Sequence, residues 1–424
     1  MKNKVSIAVV GGGISGLVAA YRLSQEGFKV NLFEPKELGG LLSTFPIGAN
    51  RLEKFYHHIF PHNKNTLSLL SELGLKEKVQ FTNTKIGLFT GRKTIPFSTI
   101  INFFNFPPLD FKQKIRLGIN TIRLKHQKWQ KLIKYPITKF LPEYLGNHAY
   151  KIIWQPLVEK KFGSYTDTVM MPWLWARITQ RSKKLGYLNG SFQCLIDRLA
   201  EKLSENGVRI RGSAVDDMAI KDQCIILKAG GKNHIFTHVL FATPLPVFKK
   251  IASKVLSPDF VKQQLSIRYI KAQCLILALK HPLTQYYWIN INDPKSKFIA
   301  LVEHTNFRSV DDYNGQHLVY LSQYCPPGNG PYPKNKEEIL NTAIPLLKKI
   351  NKNFSPNWIK SSHLFSSQFT QHVADKQYYT HLPQIETPLK NVYNISIAHI
   401  YPDDRGIEKA IELAEQAASL IIRS

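Results

Sequence analysis

Glycine residues near the N-terminus have the spacing that is typical of a turn that binds the phosphates of a dinucleotide. Residues 5–10 form an apolar, β-branched run, and the glycine-rich residues 11–16 lead from this run into a helical pattern. In such a strand–turn–helix unit, Gly11 makes the tight turn and Gly13 lets the backbone approach a pyrophosphate. Gly16 then lets the helix pack closely against the strand. The pattern therefore predicts a pyrophosphate site at the N-terminus of this helix.

Glu34 adds a second element to the same predicted site. It ends a predicted strand over residues 28–33 and lies 18 residues beyond Gly16, where an acidic side chain accepts hydrogen bonds from a ribose diol. Ser15 lies in the first turn of the helix, where free backbone N–H groups meet phosphate charge. A flexible turn without a ligand is the alternative, but the order of strand, helix and Glu34 favours dinucleotide binding.

A second glycine pair, Gly39 and Gly40, would let the backbone run close to the far half of the dinucleotide. This combined pattern resembles the superfamily of FAD-dependent amine oxidases, protoporphyrinogen oxidases and phytoene desaturases, with features of UDP-galactopyranose mutases. The resemblance spans nearly the whole chain and implies FAD as the cofactor, with contacts from Gly40 and Leu41. An arginine often follows the glycine pair in that superfamily. In this sequence Leu41 occupies that position, so the contact that the arginine would make to the phosphates is missing.

The resemblance implies an α/β fold in which a Rossmann-type FAD-binding domain of the GR2 type is combined with a discontinuous α+β substrate domain. Strands are predicted at residues 208–215, 224–227 and 239–242, and an ordinary β-meander is the alternative for them. The backbone of Val215 is expected to contact adenine. The predicted division is 1–90, 186–265 and 385–424 for the FAD-binding domain, 91–185 for a helical region facing substrate or membrane, and 266–384 for the sheet of the substrate domain.

The C-terminus predicts a short strand at residues 394–398, a polar loop and an alanine-rich helix that ends near residue 422. Backbone N–H groups at Gly406 and Ile407 would face the carbonyl side of the flavin. Asp404 precedes them, and the mutases imply that this carboxylate contacts the cofactor. A plain helix N-cap is the alternative for Asp404.

Arg177 and Arg181 are candidates for substrate binding. If their segment is helical, the spacing of four residues places both guanidinium groups on one helix face, where they would hold a diphosphate or a carboxylate. The mutases carry an arginine pair at the same spacing, which implies the same role here. A solvated helix face is the alternative, since exposed arginines are common.

His58 and Tyr287 complete the candidate catalytic set. The segment at residues 52–60 resembles the mutase segment whose histidine lies beside the flavin, and His58 matches that histidine. Strands are predicted at residues 274–279, 286–292, 298–303 and 317–321, and Tyr287 and the polar residues 303–306 lie at the ends of two of them. A structural histidine and core packing are the alternatives. The sequence shows no catalytic serine triad and predicts no metal site.

Residues 111–135 contain eight Lys or Arg and no acidic residue, with Ile115, Ile119 and Ile122 at helical spacing. Trp129 and Ile133 continue this spacing. The pattern predicts one basic amphipathic helix, and the aromatic residues Phe103, Phe104 and Phe106 precede it. Such a helix lies on a membrane surface or, alternatively, packs its apolar face on the core of the domain.

Composition limits the class of protein. The chain has 424 residues with 43% hydrophobic content and a formal net charge of +27, which predicts two or three folded domains and an anionic partner. Four widely spaced cysteines favour a reducing compartment. The sequence contains no run of about 20 apolar residues, so no membrane-spanning helix is expected. The expected location is the cytoplasm, with peripheral contact to the inner face of a membrane.

The function that these patterns favour is an FAD-dependent oxidoreductase that transfers a hydride from a small organic substrate to the flavin. The substrate is expected to be amphiphilic, isoprenoid or sugar-linked. One alternative is a flavin-dependent isomerase of nucleotide sugars, similar to UDP-galactopyranose mutase. A basic nucleic-acid-binding protein is a more remote alternative that only the charge supports, because no nucleic-acid-binding motif is present. No nucleic-acid partner is therefore expected.

Overall fold

The computed structural model describes residues 5–264, 266–403 and 405–424. In these ranges the strands are β1 Ser6–Val10, β2 Lys29–Phe33, β3 Thr44–Ile47, β4 Asn50–Glu53, β5 Val79–Asn83, β6 Ile86–Phe89, β7 Thr94–Pro96, β8 Lys184–Leu188, β9 Arg209–Arg211, β10 Val215–Lys221, β11 Cys224–Ala229, β12 Lys232–Phe236, β13 His238–Phe241, β14 Tyr269–Leu279, β15 Trp288–Ile291, β16 Ala300–Glu303, β17 His317–Cys325, β18 Ile359–His372 and β19 Val392–Asn394.

Helices cover much of the remaining chain. The α-helices are α1 Ile14–Gln25, α2 Lys64–Glu72, α3 Ile100–Phe104, α4 Phe111–Lys125, α5 Ile137–Leu145, α6 Asn147–Ile153, α7 Gln155–Phe162, α8 Met171–Thr179, α9 Gln193–Glu205, α10 Leu245–Ile251, α11 Pro258–Gln264, α12 Lys336–Ile350, α13 Lys376–Thr380 and α14 Ile407–Arg423. Short 3-10 helices are Gly40–Leu42, Lys76–Lys78, Trp129–Leu132, Gly163–Thr168, His304–Asn306, Val310–Tyr313, Pro356–Trp358 and Ile397–His399.

A parallel sheet of five strands, in the order β19-β13-β1-β2-β9, forms the first layer. Residues 7–10 of β1 are buried, as expected for a strand covered on both faces. Helix α1 runs back across this sheet and packs against α9 and α14. Because the strands are parallel, their carboxyl ends lie along one edge, where open α/β sheets bind ligands.

A three-stranded antiparallel meander, β10-β11-β12, lies beside the parallel sheet. The prediction of one strand at residues 208–215 is wrong. The chain forms β9 in the parallel sheet, leaves it at residues 212–214, and begins β10 of the meander at Val215. The break is physical, because the carbonyl of Arg211 is already bonded to the N–H of Glu34 at the sheet edge, and β10 pairs with β11 instead.

A seven-stranded sheet in the order β18-β14-β17-β16-β15-β6-β7 forms the second layer, and only β15 and β6 pair in parallel. It contains the predicted strands of residues 274–321. It also contains β18, which the sequence analysis missed, and the strands β6 and β7. The predicted domain boundary at residue 90 cuts between those two strands, whereas hydrogen bonding places both in this sheet.

Helices α3 to α8 lie within residues 91–185 and form a helical region. The single helix predicted over residues 111–135 is an error. Helix α4 ends at Lys125, and Trp129 lies in a separate 3-10 helix with its ring facing Tyr379 at 6.0 Å and Tyr401 at 6.3 Å. These contacts turn Trp129 inward, so it does not share a face with the isoleucines of α4.

The predicted strand at residues 394–398 is also wrong in part. Strand β19 ends at Asn394, and Ser396 then caps a 3-10 turn by accepting a hydrogen bond from the N–H of Ala398. Helix α14 follows. Its small residues let it pack closely on α1, and the Ser15 hydroxyl donates to the carbonyl of Ala410 at 3.0 Å.

The described residues form a mixed α/β fold in which all four cysteines are free thiols. Among the same residues, no helix combines the length and apolar content needed to cross a bilayer, and no cluster of His, Cys, Asp or Glu has the arrangement of a metal site.

Glu408, in the first turn of α14, provides the N-terminal cap of α2. Its carboxylate accepts four hydrogen bonds, two from Asn65 and two from Thr66, at 2.7–3.0 Å. The N-cap residue of α2, Asn63, makes no such side-chain bond itself. One carboxylate therefore stabilises α2 and fixes the start of α14 at the same time.

We expect Glu408→Ala to lower the free energy of unfolding by about 1–2 kcal/mol, because it removes this cap. The melting temperature measured by circular dichroism should fall by a few degrees. Glu412→Ala, which removes only a side-chain pair with Lys409, is the matched control and should leave it nearly unchanged. Equal melting temperatures for wild type and the Glu408 variant would contradict this role.

Candidate active site

The glycine-rich turn is packed so tightly that side chains are excluded at two of its positions. A Cβ added to Gly16 would lie 1.9 Å from the carbonyl oxygen of Gly11, and one added to Gly11 would lie 2.5 Å from that of Ala242. Gly11 also has a φ of +110°, which disfavours other residues. Helix α1 can therefore lie against the ends of β1 and β13 only with glycine at both positions.

The side of the turn at Gly13 is open by comparison. A Cβ there would meet only the Cα of Gly40, at 4.0 Å. Gly13 is the N-cap of α1, and no side chain caps this helix or places an acid in its first turn. Free N–H groups and free space therefore coincide, which fits a pyrophosphate.

The two glycine turns touch one another. The N–H of Gly39 donates to the carbonyl of Gly12 at 2.8 Å, and a Cβ on Gly40 would lie 3.1 Å from the Cα of Gly13. Gly39 and Gly40 have φ values of +107° and +59°. Leu41 follows in the 3-10 helix Gly40–Leu42 and is partly exposed. The two glycine turns predicted from the sequence thus form one continuous surface of backbone atoms.

Glu34 lies at the carboxyl end of β2, next to the first turn. Its carboxylate accepts hydrogen bonds from the N–H groups of Gly12 at 2.8 Å and Lys36 at 3.0 Å. Below it, the ring of Phe33 packs edge-on against Phe236 of the meander, at 5.9 Å. Val215, which begins the meander, is buried. Glu34 is therefore brought to the same end of the parallel sheet as the glycine turns, and Val215 lies at the start of the neighbouring meander.

Two polar atoms that follow or end strands of the parallel sheet lack a partner in the described part of the chain. The hydroxyl of Thr243 follows β13, and the amide oxygen of Asn394 ends β19; both are buried without a hydrogen bond. Buried polar atoms rarely remain unpaired. Together with the open side of Gly13, they fit a polar cofactor along the carboxyl edge of the sheet.

The C-terminal helix reaches the same region. Gly406 is the N-cap of α14 and has no side-chain cap bond, and Ile407 begins the helix. Ser15 is bonded to this helix through Ala410, so its hydroxyl ties α1 to α14. Asp404, the predicted cofactor contact, lies outside the described residues.

Residues 55–58 run beside the seven-stranded sheet. The Tyr56 hydroxyl is 3.1 Å from the Ser322 hydroxyl, and its ring packs edge-on against Trp288. The pKa of both His57 and His58 is lowered to about 4 by burial, and the charge of Arg405 contributes to the lowering for His57. Both imidazoles are therefore neutral at pH 7. Nδ1 of His58 is buried without a hydrogen-bond partner in the described residues.

The arginine pair does not have the geometry predicted for it. Helix α8 ends at Thr179, so Arg177 lies in its last turn and Arg181 lies beyond it. Arg177 stacks over Trp173 at 5.1 Å and Arg181 over Trp154 at 6.0 Å. The two remain close enough for Arg177 to act on Arg181. Desolvation of the guanidinium group, followed by repulsion from Arg177, lowers the pKa of Arg181 to about 10.

A row of cations and aromatic rings extends from Arg177, and the sequence analysis missed most of it. The Lys161 ammonium lies 4.7 Å from the ring centre of Trp173 and 4.8 Å from that of Tyr324, and the Arg405 guanidinium lies 5.7 Å from the ring centre of Tyr324. Lys161 is 2% exposed. A basic residue in a Glu-Lys-Lys-Phe segment looks like helix surface, so only the folded contacts identify this row, which we call the cation–aromatic row.

Tyr287 and the residues around 303–306 are packed in the core. The ring of Tyr287 is 1% exposed and lies 4.8 Å from that of Phe307, and burial raises the pKa of its hydroxyl well above its usual range. Glu303 accepts hydrogen bonds from the N–H groups of Leu283 and Thr284. His304 pairs with the hydroxyl of Tyr313 at 2.9 Å. These polar groups hold loops together.

Comparison with known proteins agrees with this architecture. An oxidoreductase from Methanosarcina mazei superposes with a TM-score of 0.77 at 17% identity, over 98% of this chain and 100% of that one. Reduced UDP-galactopyranose mutase gives 0.78 at 14% identity, over 99% and 96%. At these identities the likeness establishes the fold alone.

Sequence comparison establishes the family. The model for flavin-containing amine oxidoreductases matches residues 14–422, so the chain belongs to that family. The mitochondrial protoporphyrinogen oxidase of Nicotiana tabacum is 23% identical over 341 residues, or 66% of this chain and 66% of that protein, just under two thirds of its length. The resemblance inferred from the glycine turns is thereby confirmed.

Glu53 is a buried carboxyl beside the site that the sequence analysis did not identify. It is fully buried on β4, accepts a hydrogen bond from the Tyr187 hydroxyl at 2.5 Å and another from the N–H of Phe192 at 2.8 Å. Burial nevertheless raises its pKa to about 7. The folded state therefore holds the proton more tightly than the unfolded chain, and the stability that Glu53 contributes falls as pH rises from its ordinary pKa towards 7.

Replacing Glu53 with Gln keeps a polar group of the same shape but removes this titration. We expect the free energy of unfolding of Glu53→Gln, relative to wild type, to rise by about 1–3 kcal/mol between pH 5 and pH 8. Denaturant unfolding at several pH values measures this difference. Glu37→Gln, which changes an exposed carboxylate paired with Lys54, should show no such rise. A pH-independent difference for Glu53→Gln would refute a raised pKa.

Proposed function

We propose that this chain oxidises a small organic molecule that carries an anionic group, with FAD held by a Rossmann-type domain of the GR2 type. The convergence of both glycine turns, Glu34 and the start of α14 at one edge of the parallel sheet carries the cofactor half of the proposal. Arg181, whose side chain is exposed and is repelled by Arg177, supports the substrate half.

The cofactor contacts follow from the positions described above. Gly11 and Gly16 shape the first turn, and Gly13 with Gly40 and Leu41 borders the pyrophosphate. The Glu34 carboxylate accepts hydrogen bonds from the ribose hydroxyls, and the Val215 backbone borders adenine. The N–H groups at Gly406 and Ile407 face the flavin. Ser15 contributes by joining α1 to α14. The proposed cofactor domain keeps the segments 186–265 and 385–424, and its first segment ends before β6.

Bound FAD supplies the acceptor for a hydride from a C–H bond of the substrate. The protein orients that bond. Arg181 and Arg177 bind the anionic end of the substrate by charge-assisted hydrogen bonds. Neutral His58 offers its unpaired Nδ1 as a hydrogen-bonding atom, because an imidazole with a pKa near 4 remains uncharged at pH 7. Tyr287 contributes to this site by packing, and its hydroxyl stays protonated.

A nucleotide-sugar isomerase is the second candidate. The fold likeness to UDP-galactopyranose mutase, together with Arg177, Arg181 and His58, favours it. The two candidates differ in net redox change: an oxidoreductase consumes an electron acceptor, whereas an isomerase does not and requires reduced flavin throughout.

Glu34→Ala should weaken FAD binding by about tenfold or more, because it removes the charged acceptor for the ribose hydroxyls and its bonds are worth about 1.5–3 kcal/mol each. Fluorescence titration of the FAD-free protein with FAD gives the dissociation constant. Glu37→Ala, three residues away and exposed, is the matched control. Unchanged affinity in a folded Glu34 variant would remove Glu34 from the ribose site.

The substrate half is tested by anaerobic titration of the FAD-loaded protein with carboxylated and phosphorylated C–H donors and with their uncharged esters. Loss of flavin absorbance is expected with the anionic compounds, and turnover should need an electron acceptor. In Arg181→Met and Arg177→Met, the KM should rise about tenfold or more, as expected when a charge-assisted pair is lost, while FAD stays bound. Arg92→Met, at an exposed position, is the control.

Two outcomes would contradict the proposal. Bleaching by the uncharged esters at the same concentrations would show that the arginines bind no anionic group. Conversion of a nucleotide sugar only after reduction of the flavin, with no acceptor consumed, would establish the isomerase.

A further inference from the structure

Exposed hydrophobic side chains are concentrated on one part of the helical region. Of the large apolar residues that are exposed in the described ranges, seven of eleven lie between residues 100 and 122. We call these seven the apolar face: Ile100, Ile101, Phe104, Phe111, Ile115, Ile119 and Ile122. Ile100 and Ile101 are 74% and 71% exposed. Scattered exposed hydrophobics are normal in proteins, whereas a concentrated patch marks an interaction surface.

Helices α3 and α4 join these side chains into one surface. The Phe103 ring packs over Gly118 of α4, since a Cβ at Gly118 would lie 3.9 Å from it. The Lys114 ammonium donates to the carbonyl of Phe104 at 2.6 Å. On α4, the residues Phe111, Ile115, Ile119 and Ile122 are spaced by four, four and three positions and therefore form a stripe along the helix. Phe106 is fully buried and does not belong to this face, contrary to the sequence-based expectation.

The opposite side of α4 is already anchored to the protein. Leu117 and Leu124, seven residues apart, are buried in the core. The Trp175 indole of α8 donates to the carbonyl of Leu124 at 3.0 Å, and the Asn120 amide donates to that of Tyr144 at 2.6 Å. The core thus takes the leucine side of α4, which excludes the alternative that the isoleucine stripe is its core-facing side.

Cations surround the apolar face. Residues 111–135 contain eight Lys or Arg and no Asp or Glu, and most of these side chains are exposed: Lys112, Arg116, Arg123, Lys125, Lys128, Lys131 and Lys134. Asp110, just before α4, is used as its N-cap and accepts from the N–H of Gln113. The surface therefore combines an apolar stripe with a one-sided positive charge.

We propose that this surface docks onto the headgroup region of an anionic lipid bilayer. The cations match anionic headgroups, and the isoleucine and phenylalanine side chains enter the boundary between headgroups and acyl chains, as in interfacial amphipathic helices. Nucleic acid would use the cations but would leave the apolar stripe in water. The inference concerns a surface on the outer side of α4 and stands independently of the proposed oxidation.

Co-sedimentation of the FAD-loaded full chain with vesicles tests the proposal. We expect binding to vesicles of phosphatidylcholine with added phosphatidylserine, and much weaker binding to phosphatidylcholine alone. High salt should weaken binding without abolishing it, because the apolar part of the contact is not screened. Flavin absorbance and the thermal melt of each variant report whether it is folded.

Two triple variants address the two parts of the surface. Lys125→Glu with Lys128→Glu and Lys131→Glu should reduce partitioning by about tenfold or more, since each cation adds to attraction near an anionic surface. Ile115→Gln with Ile119→Gln and Ile122→Gln should reduce it to a similar extent and should remove the salt-resistant part.

Matched controls are available on the meander and β9. Charge reversal at the exposed Lys221, Lys228 and Lys232, and Ile→Gln at the exposed Ile210, Ile220 and Ile235, should each leave partitioning nearly unchanged. Three outcomes would overturn the proposal. One is the absence of binding to anionic vesicles at low salt, and another is an equal loss in the matched controls. The third is sedimentation velocity showing a dimer that only the isoleucine variant dissociates, because a second copy would then cover the apolar face. Loss of flavin turnover with vesicle binding intact would affect only the proposed function.

Discussion

The approach of α1 to the glycine-rich turn is the contact on which the rest of the site depends. Only glycine fits at position 16, since any Cβ would overlap the carbonyl oxygen of Gly11. With α1 held there, Ser15 reaches Ala410 of the C-terminal helix and Gly12 reaches Gly39 of the second turn. Chain segments nearly 400 residues apart are thereby fixed at one edge of the parallel sheet. The cofactor site is a consequence of close backbone packing, and its side chains add to a surface that backbone has already formed.

Charge is placed inside the protein next to aromatic rings. In the cation–aromatic row, Trp173 is within contact of both Arg177 and Lys161, and Tyr324 is within contact of both Lys161 and Arg405. Ring faces attract cations and make the burial of Lys161 tolerable. Burial keeps His57 and His58 neutral, because an imidazolium would be desolvated, and Arg405 also repels a charged His57. The interior therefore combines fixed positive charges with neutral hydrogen-bonding groups, a setting suited to holding an anionic substrate in place.

The helical region connects an inner and an outer surface. On its inner side, α8 carries Arg177 and Trp173. On its outer side, α4 carries the isoleucine stripe. The two helices are joined directly by the hydrogen bond from Trp175 to the carbonyl of Leu124. A membrane beneath α4 would thus lie one helix layer away from α8, which places the proposed docking surface next to the proposed substrate region.

Local sequence determined the parts of this protein that depend on neighbouring residues alone. The apolar run, the glycine spacing and Glu34 predict β1, α1 and β2, because strand period, turn sterics and helix packing act within some 30 residues. Tertiary structure decided the rest. The sequence analysis joined β9 to β10 and extended α4 through Trp129, since an unbroken pattern carries no information about which sheet or neighbour it will meet. It placed Arg177 and Arg181 on one helix face, whereas the helix ends between them. It also placed the isoleucines of α4 on one apolar face with Trp129. It did not show that Leu117 and Leu124 are the residues of α4 that pack in the core. Lys161 illustrates the reason most plainly, because its burial depends on rings from residues 173 and 324, which only the folded chain brings to it.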